Sequence, residues 1–166
     1  LSARTAEQLK QKAADLLGVL RKEGHALSLA DVAYTLQVGR APMDERLGFL
    51  VSSVEQLADK LQAWIDGERA TEDVYRGQVK RNRENLGILS QDDEAVETLL
   101  EKWIAQKKLS RLLDVWVNGL DLDWNRLYDG VRPLRVPLPV YPFAKERYWI
   151  EAQAPVAAAP STAILH

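Results

Sequence analysis

The sequence predicts an α/β chain of the α+β kind: a small three-stranded sheet packed by helices, with a helical hairpin insert and a C-terminal extended proline/aromatic strap. Three observations carry that reading. Two capping boxes, Thr5 with Gln8 and Ser53 with Gln56, each open a run of apolar residues at helical spacing. Short stretches of strand character lie beside them. From Arg135 to Trp149 the chain writes RVPLPVYPFAKERYW, which fits neither regular element, because Pro137, Pro139 and Pro142 remove backbone donors and hold φ extended. Its Leu, Val, Tyr, Phe and Trp residues nevertheless need a surface to cover.

The elements run in order. Leu1-Ser2-Ala3 is the stub of a first strand, and Leu9, Ala13, Leu16, Leu17 and Leu20 line one face of a helix that ends near Gly24. A second helix starts at Ser28, carries Leu29, Val32, Ala33 and Leu36, and stops near Gly39. Arg46 to Ser52 alternates Leu47, Phe49 and Val51, the period of a half-buried strand. Leu57, Leu61, Trp64 and Ile65 make the next helix, to Gly67, and Val74–Gly77 is a third strand. LSARTAEQLKQK and LVSSVEQLADK share the EQL triplet and a Lys three residues on, so one strand–helix unit is used twice or two capping sites have converged. From Gln78 the pattern turns helical. The acidic QDDE, with Asp92, Asp93 and Glu94, suits a helix N-terminus. Stripes through Val96, Leu99, Leu100, Trp103 and Ile104, and through Leu109, Leu112, Leu113, Trp116, Val117 and Leu120, predict an αα-hairpin whose loop presents Lys107 and Lys108. Trp64, Trp103 and Trp116 lie on core stripes, and Asp123 caps a short helix WNRLY. The resulting divisions are an α/β layer over 1–80, the helical insert and short helix over 81–130, the extended strap over 131–150, and an Ala/Pro interdomain linker over 151–166.

Composition excludes much chemistry. The 166 residues hold no Cys and two His, so thiolate nucleophiles, disulfides and Cys or His metal sites have almost nothing to build on. A net charge of −2 gives no signature for nucleic acid or anionic membrane, and KRNR at Lys80–Arg83 is too small a basic spot to change that. With no membrane-length apolar run and no signal-peptide core, the chain reads as cytoplasmic. Ser52 and Ser53 lack a glycine-flanked elbow and read as caps, His25 falls in a loop, and Asp123 of the pair Asp121/Asp123 reads as a cap rather than a metal ligand. No catalytic, cofactor-binding or metal-binding residue is assigned, and no cofactor is expected.

The segment VWVNGLDLDWNRLYDGVRPLRVPLPVYPFAKERYWI closely resembles the end of the ketosynthase–acyltransferase region of modular polyketide synthases. Trp116, Gly119, Asp123 and Trp124 match a W-x-x-G-x-x-x-D-W element, and Leu138, Pro139, Tyr141, Pro142, Phe143, Arg147, Tyr148 and Trp149 match L-P-T-Y-P-F-x-x-x-R-Y-W, with Val140 in place of the threonine. LSARTAEQLKQKAADLLGVL and ADVAYTLQVGR…MDERLGFLVSS resemble the linker that comes after a ketosynthase. The G-H-S-x-G acyltransferase is absent. The direct joining segment is instead similar to the flanking subdomain of trans-acyltransferase synthases, whose helical insert falls over roughly Arg81 to Leu120 here. The terminal Leu165-His166 resembles the opening of a dehydratase domain.

That resemblance implies a non-catalytic structural or docking module, not an enzyme in its own right. The eight strap residues would contact the adjacent ketosynthase of the same polypeptide. Lys107, Lys108 and Arg111 would form a lateral or docking face for a neighbouring synthase or the trans-acting acyltransferase. Neither nucleic acid nor membrane is a partner. The alternatives are a degenerate transferase or hydrolase using His25 or a serine, and a peptide- or carrier-protein-binding module with an open apolar groove.

Overall fold

The computed structural model describes residues 1–68, 72–86 and 93–139, with only the backbone described at 83–86 and 93. The capping boxes form. The Gln8 amide donates to Thr5 Oγ1 at 3.2 Å and α1 runs Ala6–Glu23, burying the predicted Leu9, Ala13, Leu16, Leu17 and Leu20. The Gln56 amide donates to Ser53 Oγ at 3.1 Å, while Gln56 Oε1 accepts the Ser52 amide at 2.7 Å, and α3 runs Val54–Ile65. Between them, a 3-10 turn at Gly24–Ala26 leads into α2, Leu29–Val38, which ends on Gly39.

The sheet has the order β1-β2-β3, with β1 Ser2–Ala3, β2 Glu45–Phe49 and β3 Val74–Gln78, all antiparallel. Ser2 faces Arg46, Arg46 faces Gly77 and Gly48 faces Tyr75. Two expectations about β2 are corrected. It ends at Phe49 rather than Ser52, because Ser52 and Ser53 are committed to capping α3 and turn the chain. It is also covered on both faces: Glu45, Arg46, Leu47 and Gly48 are all buried.

Side-chain alternation sorts those faces. Leu47 joins Ala3 and Leu9 on the side of α1 and α3, where Leu16, Leu17, Leu20, Val32, Leu57 and Leu61 form the main core. On the other side lie Arg46, Gly48 and Gly77, and α6 (Leu109–Val117) packs directly on them. Its closeness requires glycine: a Cβ at Gly77 would fall 2.1 Å from the Val117 carbonyl oxygen, and one at Gly48 would fall 2.7 Å from Leu113 Cδ2. Half of the predicted hairpin is therefore a layer of the sheet domain.

The remaining helices are α4, Val79–Leu86, and α5, Asp93–Ala105, which packs on α6 to complete the predicted αα-hairpin. Lys107 makes the turn at φ 50°, in the left-handed region. Of the α5 stripe Leu100 is buried, but Leu99 stays 40% exposed, because among the described residues α5 packs chiefly on α6 and the turn at 124–127. Trp116 is buried as expected, whereas Trp64 and Trp103 are half-buried at the periphery. The predicted WNRLY helix is a 3-10 turn, Trp124–Leu127, capped by Asp123. Asp92 lies outside the described residues.

Candidate functional site

The described part of the strap, 131–139, lies along α2, and its backbone donors explain why. Pro133, Pro137 and Pro139 have none to satisfy. Leu134 N–H donates to Asp31 Oδ1 at 2.7 Å and Val136 N–H to Thr35 Oγ1 at 3.0 Å. The Thr35 hydroxyl donates its own hydrogen to the Asp31 carbonyl at 2.7 Å, which leaves its oxygen to accept. Arg40 Nη2 then donates to the carbonyls of Leu138 (3.3 Å) and Pro139 (2.7 Å). Asp31 and Thr35 share a face of α2 at i, i+4, and Arg40 comes just past its end, so one helix edge reads the extended backbone. Upstream, Tyr128 OH donates to Gln37 Oε1 at 2.6 Å, and its ring meets Tyr34 edge-on at 5.0 Å. Val136 and Leu138 pack against the core, while Val131 and Leu134 are 86% and 73% exposed.

Of the eight predicted strap contacts, Leu138 and Pro139 are thus seated on the chain's own α2. Tyr141, Pro142, Phe143, Arg147, Tyr148 and Trp149, and Val140 with them, lie outside the described residues. Lys107, Lys108 and Arg111 come together as exposed cations on the hairpin turn and the first turn of α6, next to Leu109, itself 41% exposed. The apolar stripe of α2 does not announce Asp31, Thr35 and Arg40 as strap-binding residues. The signal was the polar i, i+4 pair on its opposite edge.

The W-x-x-G-x-x-x-D-W element also gains a physical meaning. Buried Arg46 donates through Nη1 to the carbonyls of Trp116 (2.8 Å) and Leu120 (3.1 Å), through Nε to Met43 O (3.0 Å), and through Nη2 to Asp121 Oδ1 (2.9 Å), with its guanidinium over the Trp116 ring. Gly119 takes φ 119°, Asp123 accepts the Asn125 amide at 3.1 Å, and Trp124 meets Trp116 edge-on at 6.0 Å. The element is a helix-end clasp, and its two carboxylates are occupied by Arg46 and by capping. The Asn125 side chain and amide hold the Asp123 carboxyl below its ordinary pKa.

Two buried lysines do equivalent work. Lys12 Nζ donates to Ser2 O at 3.1 Å, and Lys60 Nζ donates to Leu50 O at 3.0 Å and to Glu72 O at 2.9 Å. The EQL repeat is thus physical: same triplet, same lysine, same carbonyl ten residues back. Burial first, then the neighbouring Arg40, lowers the Lys12 pKa to about 8. Beside Lys12 and Arg40 opens an apolar cavity of about 180 Å³ between α2, β2 and α6; neither His25 nor Ser52 lines it. Among the described residues no cluster of three His, Asp or Glu could hold a metal ion, and no helix is long and apolar enough to cross a membrane.

Comparison with known proteins agrees with the motif. Residues 1–68 match the family model described as RhiE-like, KS-MAT linker domain. The chain is 43% identical over 155 residues, 93% of its length, to polyketide synthase PksL of Bacillus subtilis, and 37% identical over 158 residues to ThaG of Burkholderia thailandensis. It spans 3% of either relative. Among solved structures, the ketosynthase from module 6 of the bacillaene synthase of Bacillus subtilis superposes on 90% of this chain with a TM-score of 0.82 at 37% identity, the match covering 26% of that chain.

Proposed function

We propose that this chain, similar to ketosynthase linker segments of polyketide synthases, is a non-catalytic structural module of a trans-acyltransferase synthase. It packs on the ketosynthase of its own polypeptide and couples that domain to the next one along the chain. One observation carries this reading: the solved chain it superposes on is a ketosynthase, of which the matched segment makes up about a quarter. The engagement of Ser53, Asp121 and Asp123 in caps and a clasp supports it, since the side chains best suited to chemistry hold the fold together. In this reading the seated stretch 131–139 fixes where the aromatic part of the strap leaves, and Leu138, Pro139, Tyr141, Pro142, Phe143, Arg147, Tyr148 and Trp149 anchor the ketosynthase contact. A proline-fixed segment loses little entropy on docking, and large aromatics make efficient anchors.

The test is calorimetric titration of the chain with a ketosynthase domain lacking its flanking region. Micromolar or tighter binding is expected, weakened at least tenfold by Tyr148→Ala with Trp149→Ala while the thermal melt of the isolated chain stays put. Absence of binding refutes the module reading. A collapsed melt would make the strap part of the core instead.

A second surface has its own support. Lys107, Lys108 and Arg111 are exposed beside half-exposed Leu109, a cationic rim around an apolar spot. We assign to this hairpin face the lateral contact with a neighbouring synthase or the recruitment of the trans-acting acyltransferase. Lys107→Glu with Lys108→Glu should abolish co-sedimentation with whichever of the two binds the native chain, and unchanged binding would remove the assignment.

A further inference from the structure

The short turn between the hairpin and the strap grips three helices at once, through alternate side chains. Trp124 meets Trp116 of α6 edge-on, and Tyr128 donates to Gln37 of α2 and meets the Tyr34 ring. Between them, Arg126 donates through Nη1 to Glu97 and through Nη2 to Glu101 at 3.3 Å. Glu97 and Glu101 stand at i, i+4 on one face of α5, so a single guanidinium fork spans both. The turn closes its own backbone twice, Arg126 N–H donating to Asp123 O at 3.2 Å and Tyr128 N–H to Asn125 O at 3.1 Å. Its three gripping side chains are therefore carried on one small rigid frame.

The strap hangs from this frame. Gly130 follows Tyr128 by two positions at φ 84°, in the left-handed region with open space around it, and marks where frame ends and strap begins. Beyond it the hold on α2 is slight: the amides of Leu134 and Val136 on side-chain oxygens, two carbonyls on Arg40, and Val136 and Leu138 against the core. A segment with so few bonds opens locally, without the rest of the fold. How often it opens depends on how firmly its upstream end is tethered, because a fixed end leaves less freedom to gain. That end is Tyr128, and the frame bearing Tyr128 is fastened to α5 by Arg126.

We infer that Arg126 is a latch that couples α5 to the strap. While it holds Glu97 and Glu101, the frame is locked against α2 and the strap stays laid along Asp31 and Thr35. When another cation takes those carboxylates, the frame loosens and the strap leaves its seat more often. The two glutamates are 54% and 63% exposed, so a cation reaches them without any unfolding. The coupling is reciprocal, and whatever fixes the seated strap also firms the attachment of α5. The latch stands on contacts within the chain and is independent of what the strap docks against.

The experiment is amide hydrogen exchange at Leu134 and Val136, comparing the native chain with Glu97→Gln combined with Glu101→Gln. Exposed ion pairs are individually weak, so exchange roughly threefold faster at both amides is expected, with the α1 amides unchanged. Native rates at Leu134 and Val136 in the Gln chain overturn the latch. Equal acceleration in α1 overturns it too, since the strap would then open only with the whole fold. Sodium chloride supplies a second measurement, because it screens these charges in the native chain. Added salt should speed Val136 relative to α1 in the native chain and add nothing in the Gln chain; the same salt response in both counts against Arg126 as the coupling group.

Discussion

Arg46 shows how much one side chain can organise. It is 4% exposed, it donates to three carbonyls and to Asp121, and it ties β2 to the end of α6. Replacing it with Met leaves the Leu120 carbonyl without its donor, takes from the Trp116 carbonyl one donor while the Gly119 amide stays, and strips Asp121 of its partner, so Arg46→Met should cost about 3 kcal/mol in urea unfolding. Asp121→Asn should cost far less, because the Asp121 side chain is 75% exposed and its charge is screened by solvent. Lys12 gives a pH signature. Its pKa falls from 10.5 to about 8 through burial and the nearby Arg40, so between those values the folded chain binds fewer protons than the unfolded one. Stability from this group therefore rises with pH across that window, and the cost of the buried charge is fully present below about pH 8. Unfolding measured at pH 7 and pH 10 should show the native chain gaining relative to Lys12→Met; a parallel response in both would contradict the assignment.

At the level of elements, the contact between α6 and the sheet depends on two glycines with unequal margins. Gly77→Ala meets the Val117 backbone, which cannot yield without moving the helix, whereas Gly48→Ala meets only the tip of Leu113. The expected costs are about 3 kcal/mol for Gly77→Ala and about 1 kcal/mol for Gly48→Ala, read from thermal or urea unfolding. The strap obeys a different rule. Its seat on α2 consists of side-chain acceptors for an extended backbone, so Thr35→Val, nearly the same shape, removes the acceptor for Val136 N–H. That should cost about 1 kcal/mol locally and speed exchange of the Val136 amide, with the amides of α1 unaffected.

For the molecule as a whole, the hairpin is legible as an insert in sequence but is half core in structure. Deleting 81–120 and joining Lys80 to Asp121 would uncover the sheet face holding Arg46, Gly48 and Gly77, so the truncated chain should lose its cooperative melt. The sequence reading found the helices and strands because capping boxes and apolar periods are local: Thr5, Ser53 and the Leu9–Leu20 stripe declare themselves within a few residues. The second covering of β2 is not legible there, since Gly48 and Gly77 look like weak strand residues until a helix whose Leu113 is 65 residues beyond Gly48 and whose Val117 is 40 beyond Gly77 lies against them. The strap's need for a surface was likewise visible in its prolines and aromatics, but the surface was not, because Asp31, Thr35 and Arg40 are about a hundred residues away and look like ordinary solvated positions. The glycine contact has a mechanical consequence. With no side chain between backbone and backbone at Gly77, α6 has no compliant layer beneath it and cannot tilt to suit a visitor. A nine-residue helix rises about 13 Å, so the turn bearing Lys107 and Lys108 is carried at the end of a stiff lever. Its bearing is set by the sheet, and a load applied at the turn would be transmitted to the sheet rather than absorbed in the hairpin.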